Sequence, residues 1–204
     1  MNFLAHAYLS FGHPEILAGN MISDFVKGSQ KFSFSKGIQD GIMLHRQIDS
    51  FTDTHIATQK AKTVFRENYR LYSGAIVDIV YDHFLANDPA QFSNASLLQF
   101  SHEVYDALER QVTLLPPRFA QVLYYMKMEN WLYNYHTEEG IRRSLGGLVR
   151  RAAYISDSGP AGRLLTQHYG FLRECYDEFF PGVKLFAKEQ FDTLTGPFFP
   201  SIDN

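Results

Sequence analysis

Apolar residues recur along this chain with the spacing of one helix face, and almost nowhere with the alternation of a half-buried strand. Ile16, Leu17, Met21 and Val26 predict a helix within residues 14–28, with Gly28 as its stop. After a loop at 31–36, the pattern predicts helices over 35–51, 58–69 and 73–87, the last capped by Ser73. Asp88-Pro89 and Pro116-Pro117 break the pattern. Further amphipathic helices are predicted over 96–114, 117–135, 138–154 and 161–179, with Gly146-Gly147 weakening and kinking one of them. Residues 190–204, ending in GPFFPSIDN, are expected to form an extended tail. No hairpin signal, repeat, low-complexity tract or linker interrupts the series. The expectation is a single all-α domain over residues 1–204, a helical bundle.

Composition narrows the class. The 204 residues are 45% hydrophobic and 15% aromatic, enough for one sizeable core. A net charge of -3 argues against a nucleic-acid binder. The single cysteine, Cys175, excludes a disulfide within the chain. No apolar run is long enough to cross a bilayer, and MNFLAHAYLSFGHPEILAGN lacks the basic leader of a signal peptide. A cytoplasmic protein with no membrane partner is expected.

Several polar residues fall where the apolar stripes should continue. Ile38, Ile42, His45, Asp49, Thr52 and Ile56 share one face at 100° per residue, and Asp53 extends it if the helix runs that far. Asp78 and Asp82 sit at i and i+4 on a helix that is otherwise apolar nearly all round; His83 follows but points about 100° away. Asp24 lies one turn beyond Asn20 between Ile22 and Phe25, and His6 lies within NFLAHAYL. An ionised carboxylate facing a core is costly unless paired or bound to a cation.

Two readings account for these anomalies. Each is a separate hydrogen-bonded pair or cap, or they converge on one divalent-metal site built from several helices, as His and Asp ligands do in bundles. The number of anomalies on separate apolar helices favours a shared site. Other chemistries lack their signatures. There is no P-loop, no dinucleotide glycine fingerprint, no G-x-S-x-G elbow and no CxxC pattern.

Four ordered segments closely resemble the acyl carrier protein phosphodiesterase family: MNFLAH, AGNMISDFVKG, GIMLHRQIDSFTD and DIVYDHFLA. PPRF at Pro116–Phe119 and ENWL at Glu129–Leu132 are weaker matches, and the similarity runs from Met1 to about Pro181. The resemblance implies an HD-domain-like fold and hydrolysis of the phosphodiester between 4'-phosphopantetheine and a serine of holo acyl carrier protein. It also implies a divalent ion, manganese favoured and magnesium compatible. The chain has no His-Asp dipeptide; Asp82-His83 is the reverse. With the resemblance, His45 and Asp49 are expected as paired ligands and Asp24 and Asp82 as further ligands. His6, His83, Asp78 and Asp53 are held in reserve as ligands, proton donors or orienting groups. Arg46 is the expected phosphate clamp.

An acidic carrier needs basic ground, and Arg142, Arg143, Arg150 and Arg151 supply it on one helix, with Lys27, Lys31 and Lys36 near Asp24. Two competing functions remain at this level. One is a phosphohydrolase for nucleotides or another small phosphorylated metabolite; the other is a non-enzymatic all-α binding module.

Overall fold

A computed structural model of the chain describes residues 1–196. Among these, all regular structure is helical. The helices are α1 (Phe3–Tyr8), α2 (Pro14–Ile22), α3 (Lys36–Thr54), α4 (Ile56–Tyr69), α5 (Ser73–Ala86), α6 (Asn94–Glu109), α7 (Pro117–Met128), α8 (Trp131–Asn134), α9 (Glu138–Arg151), α10 (Gly159–Gln167) and α11 (Tyr169–Thr195). They form one all-α bundle. The long α11 packs across α3, α4 and α5. Its Phe179 stacks on Tyr81 of α5 with ring centroids 5.0 Å apart, and Tyr176 meets Phe84 at 5.8 Å. Phe65, Phe84, Phe119 and Phe179 are completely buried, worth about 1.5–3 kcal/mol each relative to exposure.

The observed helices differ from the expected ones at their ends and joins. α2 stops at Ile22 and passes into a 3-10 turn over Ser23–Phe25, so Gly28 is not its stop; a second 3-10 turn covers Gly28–Ser33. Ser35 caps α3 through Ile38 N, and α3 runs to Thr54. Ser73 does not cap α5. It lies inside the first turn, and its hydroxyl donates to the Arg70 carbonyl. The helix expected over 117–135 is two, because Asn130 adopts a left-handed conformation (φ 45°, ψ 56°). The helix expected over 161–179 is also two, joined at His168, and the second continues past Pro181. Residues 190–195 are thus helical rather than extended, and residues 197–204 of the expected tail lie outside the described residues.

The pair that positions the site is α2 against α3. Their backbones meet at Gly19 and Gly41. A Cβ on Gly41 would lie 2.9 Å from Gly19 Cα and 3.0 Å from Asn20 N, and would press on the Ile16 carbonyl oxygen. A Cβ on Gly19 would lie 2.8 Å from Gly41 Cα and Ile42 N. All of these neighbours are backbone atoms, which cannot rotate aside as a side chain does. Gly41→Ala is therefore expected to destabilise the fold by about 1–3 kcal/mol through overpacking, read as a drop in thermal midpoint. An unchanged midpoint would show that the helices separate freely.

Candidate metal centre

His45 and Asp49 lie one turn apart on α3 and project together. Nδ1 of His45 lies 2.8 Å from the backbone carbonyl of Asn20. Only an N–H can meet a carbonyl, so this contact places the proton on Nδ1 and leaves Nε2 facing the site. Nε2 is 3.1 Å from Asp49 Oδ2 and 3.4 Å from Asp24 Oδ1. His6, from α1, stacks on His45 with ring centroids 3.9 Å apart and an interplanar angle of 16°. Its Nε2 is 3.2 Å from Asp49 Oδ1. One ligand atom from each of His6, His45 and Asp49 lies within 4.8 Å of the others.

Placing His6 requires α1 to be held, because a six-residue helix is marginal alone. Asp82 of α5 holds it. Its carboxylate accepts N–H bonds from Leu4 at 2.7 Å, Ala5 at 3.2 Å and Asn2 at 3.3 Å. These are the donors a helix N-terminus leaves unpaired, and a negative charge there is favourable. The far end of α1 is fixed by Asn20, whose side-chain amide donates to the His6 carbonyl at 2.9 Å and to Ser10 Oγ at 3.1 Å. Asn20 thus ties α1 through its side chain and His45 through its backbone. No role was expected for it from the sequence, although a carboxamide among Ile16, Leu17, Ala18, Met21 and Ile22 is itself an anomaly.

The electrostatics follow from burial and crowding. Burial opposes a charge on His45, but the Asp24 and Asp49 carboxylates beside it outweigh that and raise its pKa to about 9. Burial and the neighbouring His45 charge lower His6 to about 4. Stacked rings at this distance do not both carry a positive charge, and the adjacent Asp24 and Asp49 favour it on His45. Burial pushes the Asp49 carboxyl up, yet the two imidazoles together hold it well below the usual carboxylate range. Its contact with His45 also lowers Asp24. The α-amino group of Met1 lies 3.0 Å from Asp78 and 3.5 Å from Asp49, which outweigh its burial and raise it to about 10.

His6 Nδ1 and Nε2, His45 Nε2 and Asp49 Oδ1 are buried and lack a properly directed hydrogen-bond partner among the described residues. They are close in distance, yet none of them meets another with the geometry of a hydrogen bond. Orphaned buried polar atoms of this kind are what a cation would satisfy.

The expected residues divide accordingly. Asp24, His45, Asp49 and His6 come together. Asp78 stands one step out, through the α-amino group. Asp82 does not join the cluster, because both of its oxygens are engaged by the start of α1. His83 points to the other side of α5, with Nδ1 2.7 Å from the Tyr135 carbonyl and Nε2 3.2 Å from the Tyr169 hydroxyl. Asp53 forms a surface ion pair with Lys62 at 2.7 Å. Arg46 is exposed and about 100° around α3 from His45, away from the cluster. Arg142 and Arg143 both reach Glu139, at 3.7 and 2.9 Å, so part of the expected basic patch is neutralised.

A cation entering the cluster must displace the His45 proton. Manganese affinity is therefore expected to rise about tenfold per pH unit between pH 6.5 and 9, with about one proton released per ion, measured by calorimetry in buffers of differing ionisation enthalpy. A flat profile would exclude His45 as a ligand. In the metal-free protein, the raised His45 pKa stabilises the fold below pH 6.5, and that contribution disappears as the pH climbs through 9. Asp82 is distinguished from a ligand by Asp82→Ala. It is expected to cost about 1–3 kcal/mol by stranding the α1 donors, while Asp82→Asn, which still offers an acceptor, retains manganese binding. Complete loss of binding in the folded Asn variant would restore Asp82 to the ligand set.

No solved structure matches the chain significantly. Relatives named acyl carrier protein phosphodiesterase match at length. That of Enterobacter sp. (strain 638) is 31% identical, covering 93% of this chain and 99% of the relative. That of Klebsiella pneumoniae subsp. pneumoniae is 32% identical over the same shares. That of Escherichia coli O157:H7 is 33% identical, covering 89% and 94%. The family model described as acyl carrier protein phosphodiesterase matches residues 1–183, which contain every residue of the cluster, its Asn20 and Asp82 supports, and the whole of α9. With a match of that extent, the chain is a member of the acyl carrier protein phosphodiesterase family.

Proposed function

We propose that this chain is a metal-dependent hydrolase that removes 4'-phosphopantetheine from holo acyl carrier protein. The observation that carries the reading is the convergence of His6, His45 and Asp49, with Asp24 at the rim, inside a chain matched along its length by relatives of that name. In balance, water oxygen bonds to phosphorus, the bond from phosphorus to the serine oxygen breaks, and that oxygen takes a proton. The products are apo carrier protein and 4'-phosphopantetheine. Such chemistry belongs where carrier proteins are charged, in the cytoplasm. Among the described residues, no helix is long and apolar enough to cross a membrane.

His6, His45, Asp49 and Asp24 would hold the ion. When bound, a divalent cation supplies Lewis acidity, drawing charge from a phosphoryl oxygen and making a water more acidic. Two imidazole nitrogens in the donor set favour manganese over magnesium, which prefers oxygen. Asn20 keeps His45 in the tautomer whose Nε2 is free for the ion. Asp24 is largely exposed beside the two buried histidines and the half-buried Asp49, and marks the open side from which a carrier-borne phosphodiester would approach.

The test is incubation with holo carrier protein and manganese, with mass spectrometry for loss of the phosphopantetheine group. Turnover is expected in the wild type and a fall of at least ~100-fold in His45→Ala and Asp49→Ala, with the helical spectrum retained. Turnover by both variants at the wild-type rate would overturn the site. Cleavage of a chromogenic phosphodiester without any action on holo carrier protein would overturn the substrate.

A further inference from the structure

Glycines in the middle of a helix weaken it, yet α9 carries two in succession, Gly146 and Gly147, and runs unbroken from Glu138 to Arg151. Packing explains a third glycine on this helix: a Cβ on Gly140 would collide with the Asn134 carbonyl. It does not explain Gly147. A Cβ there would meet only the guanidinium tips of Arg150 and Arg151, both at an ordinary 3.7 Å. What Gly147 faces is a cavity of about 380 Å³, within the range of sites that hold small organic ligands.

The walls of this cavity have a definite chemistry. Phe3 and Trp131 form an apolar side, their ring centroids 6.4 Å apart. The Glu129 carboxylate accepts the indole N–H at 3.0 Å, fixing the ring. Asn2, Asn134 and Ser144 add neutral hydrogen-bonding groups. Arg143, Arg150 and Arg151 bring positive charge, and Arg150 and Arg151 have no ion pair among the described residues. Arg142 is turned away and lines a different depression. The cavity also adjoins the metal centre along the chain, since Asn2 and Phe3 follow directly on Met1, whose α-amino group touches Asp49.

We infer that this cavity is the binding site for the pantetheine arm, with the gem-dimethyl segment against Trp131 and Phe3 and the arm's amides among Asn2, Asn134 and Ser144. This rests on the proposed reaction and adds to it where the arm lies. Arg150 and Arg151, which have no ion pair among the described residues, give the surrounding surface a charge that complements an acidic carrier. Gly147 is the position that leaves the arm its space.

Trp131 is the only tryptophan of the chain, so its fluorescence reports this cavity alone. Pantetheine is titrated into the full-length protein, followed by fluorescence and by calorimetry, in the wild type, Gly147→Leu and Gly146→Leu. Gly146 does not line the cavity, and a Cβ there meets only Arg150 and Ser158 at 3.7 Å or more, so it controls for altering the same helix. Saturable binding is expected in the wild type and in Gly146→Leu, weakened at least tenfold in Gly147→Leu, with a matching rise in KM for holo carrier protein. Retained manganese binding checks that Gly147→Leu is folded. No binding of pantetheine to the wild type, or equal binding by Gly147→Leu, would overturn the assignment. The two readings fail separately. Hydrolysis of holo carrier protein without pantetheine binding removes the cavity from the account and leaves the reaction. Gly147-dependent binding without hydrolysis removes the reaction and leaves the cavity.

Discussion

The approach of α2 to α3 decides where every group of the cluster stands. Because Gly19 and Gly41 bring the two backbones into contact, the carbonyl of Asn20 falls on Nδ1 of His45. That single contact sets the tautomer and ring direction of His45, and the side chain of the same asparagine fixes the end of α1 that carries His6. A side chain at either glycine would separate the helices and release both histidines together. The glycines thus matter for the distance they permit, although neither contributes a functional atom.

Charge is handled by division of labour among carboxylates that look alike on paper. Asp82 is fully buried, and such a carboxylate is costly unless its lone pairs are met. Three backbone N–H groups at the start of a short helix meet them, so the side chain serves as an anchor, although burial still pushes its pKa up to about 7. Asp49 is met by two imidazoles and the α-amino group, and its partners are themselves orphaned donors and acceptors. One carboxylate is satisfied and the other is poised. The positive charge on His45 lies between Asp24 and Asp49, so on the proposed function a proton and a cation would compete for the same place.

Periodicity revealed that polar residues stood on apolar faces, because a phase within one helix is a local property. It could not reveal which of them met. Asp49 and Asp82 give the same signal, and their different fates depend on contacts with α1 made across 78 residues of chain in the case of Leu4 and Asp82. His83 was legible as pointing away from Asp82, by the 100° step alone. Helix joins were lost where a single residue turns the chain without a proline or glycine, as Asn130 and His168 do. His6 carried little signal, since six residues are too few to establish a period. The resemblance to a family supplied what no spacing contains, namely the identity of a substrate.

The opening residues join the parts of the molecule that the rest of the chain keeps apart. Asn2 and Phe3 wall the cavity beside α9, while His6, one turn on, belongs to the cluster with His45 and Asp49. All three ride on a helix too short to stand alone and held at its start by Asp82 and at its end by Asn20. On the proposed readings, a ligand packed against Phe3 would act on the same short helix that presents His6, and a cation held by His6 would firm the wall that Phe3 provides. Coupling between such an arm and such an ion would need no long path through the bundle. It requires only that α1 move as a unit, and its anchoring at both ends gives it that property.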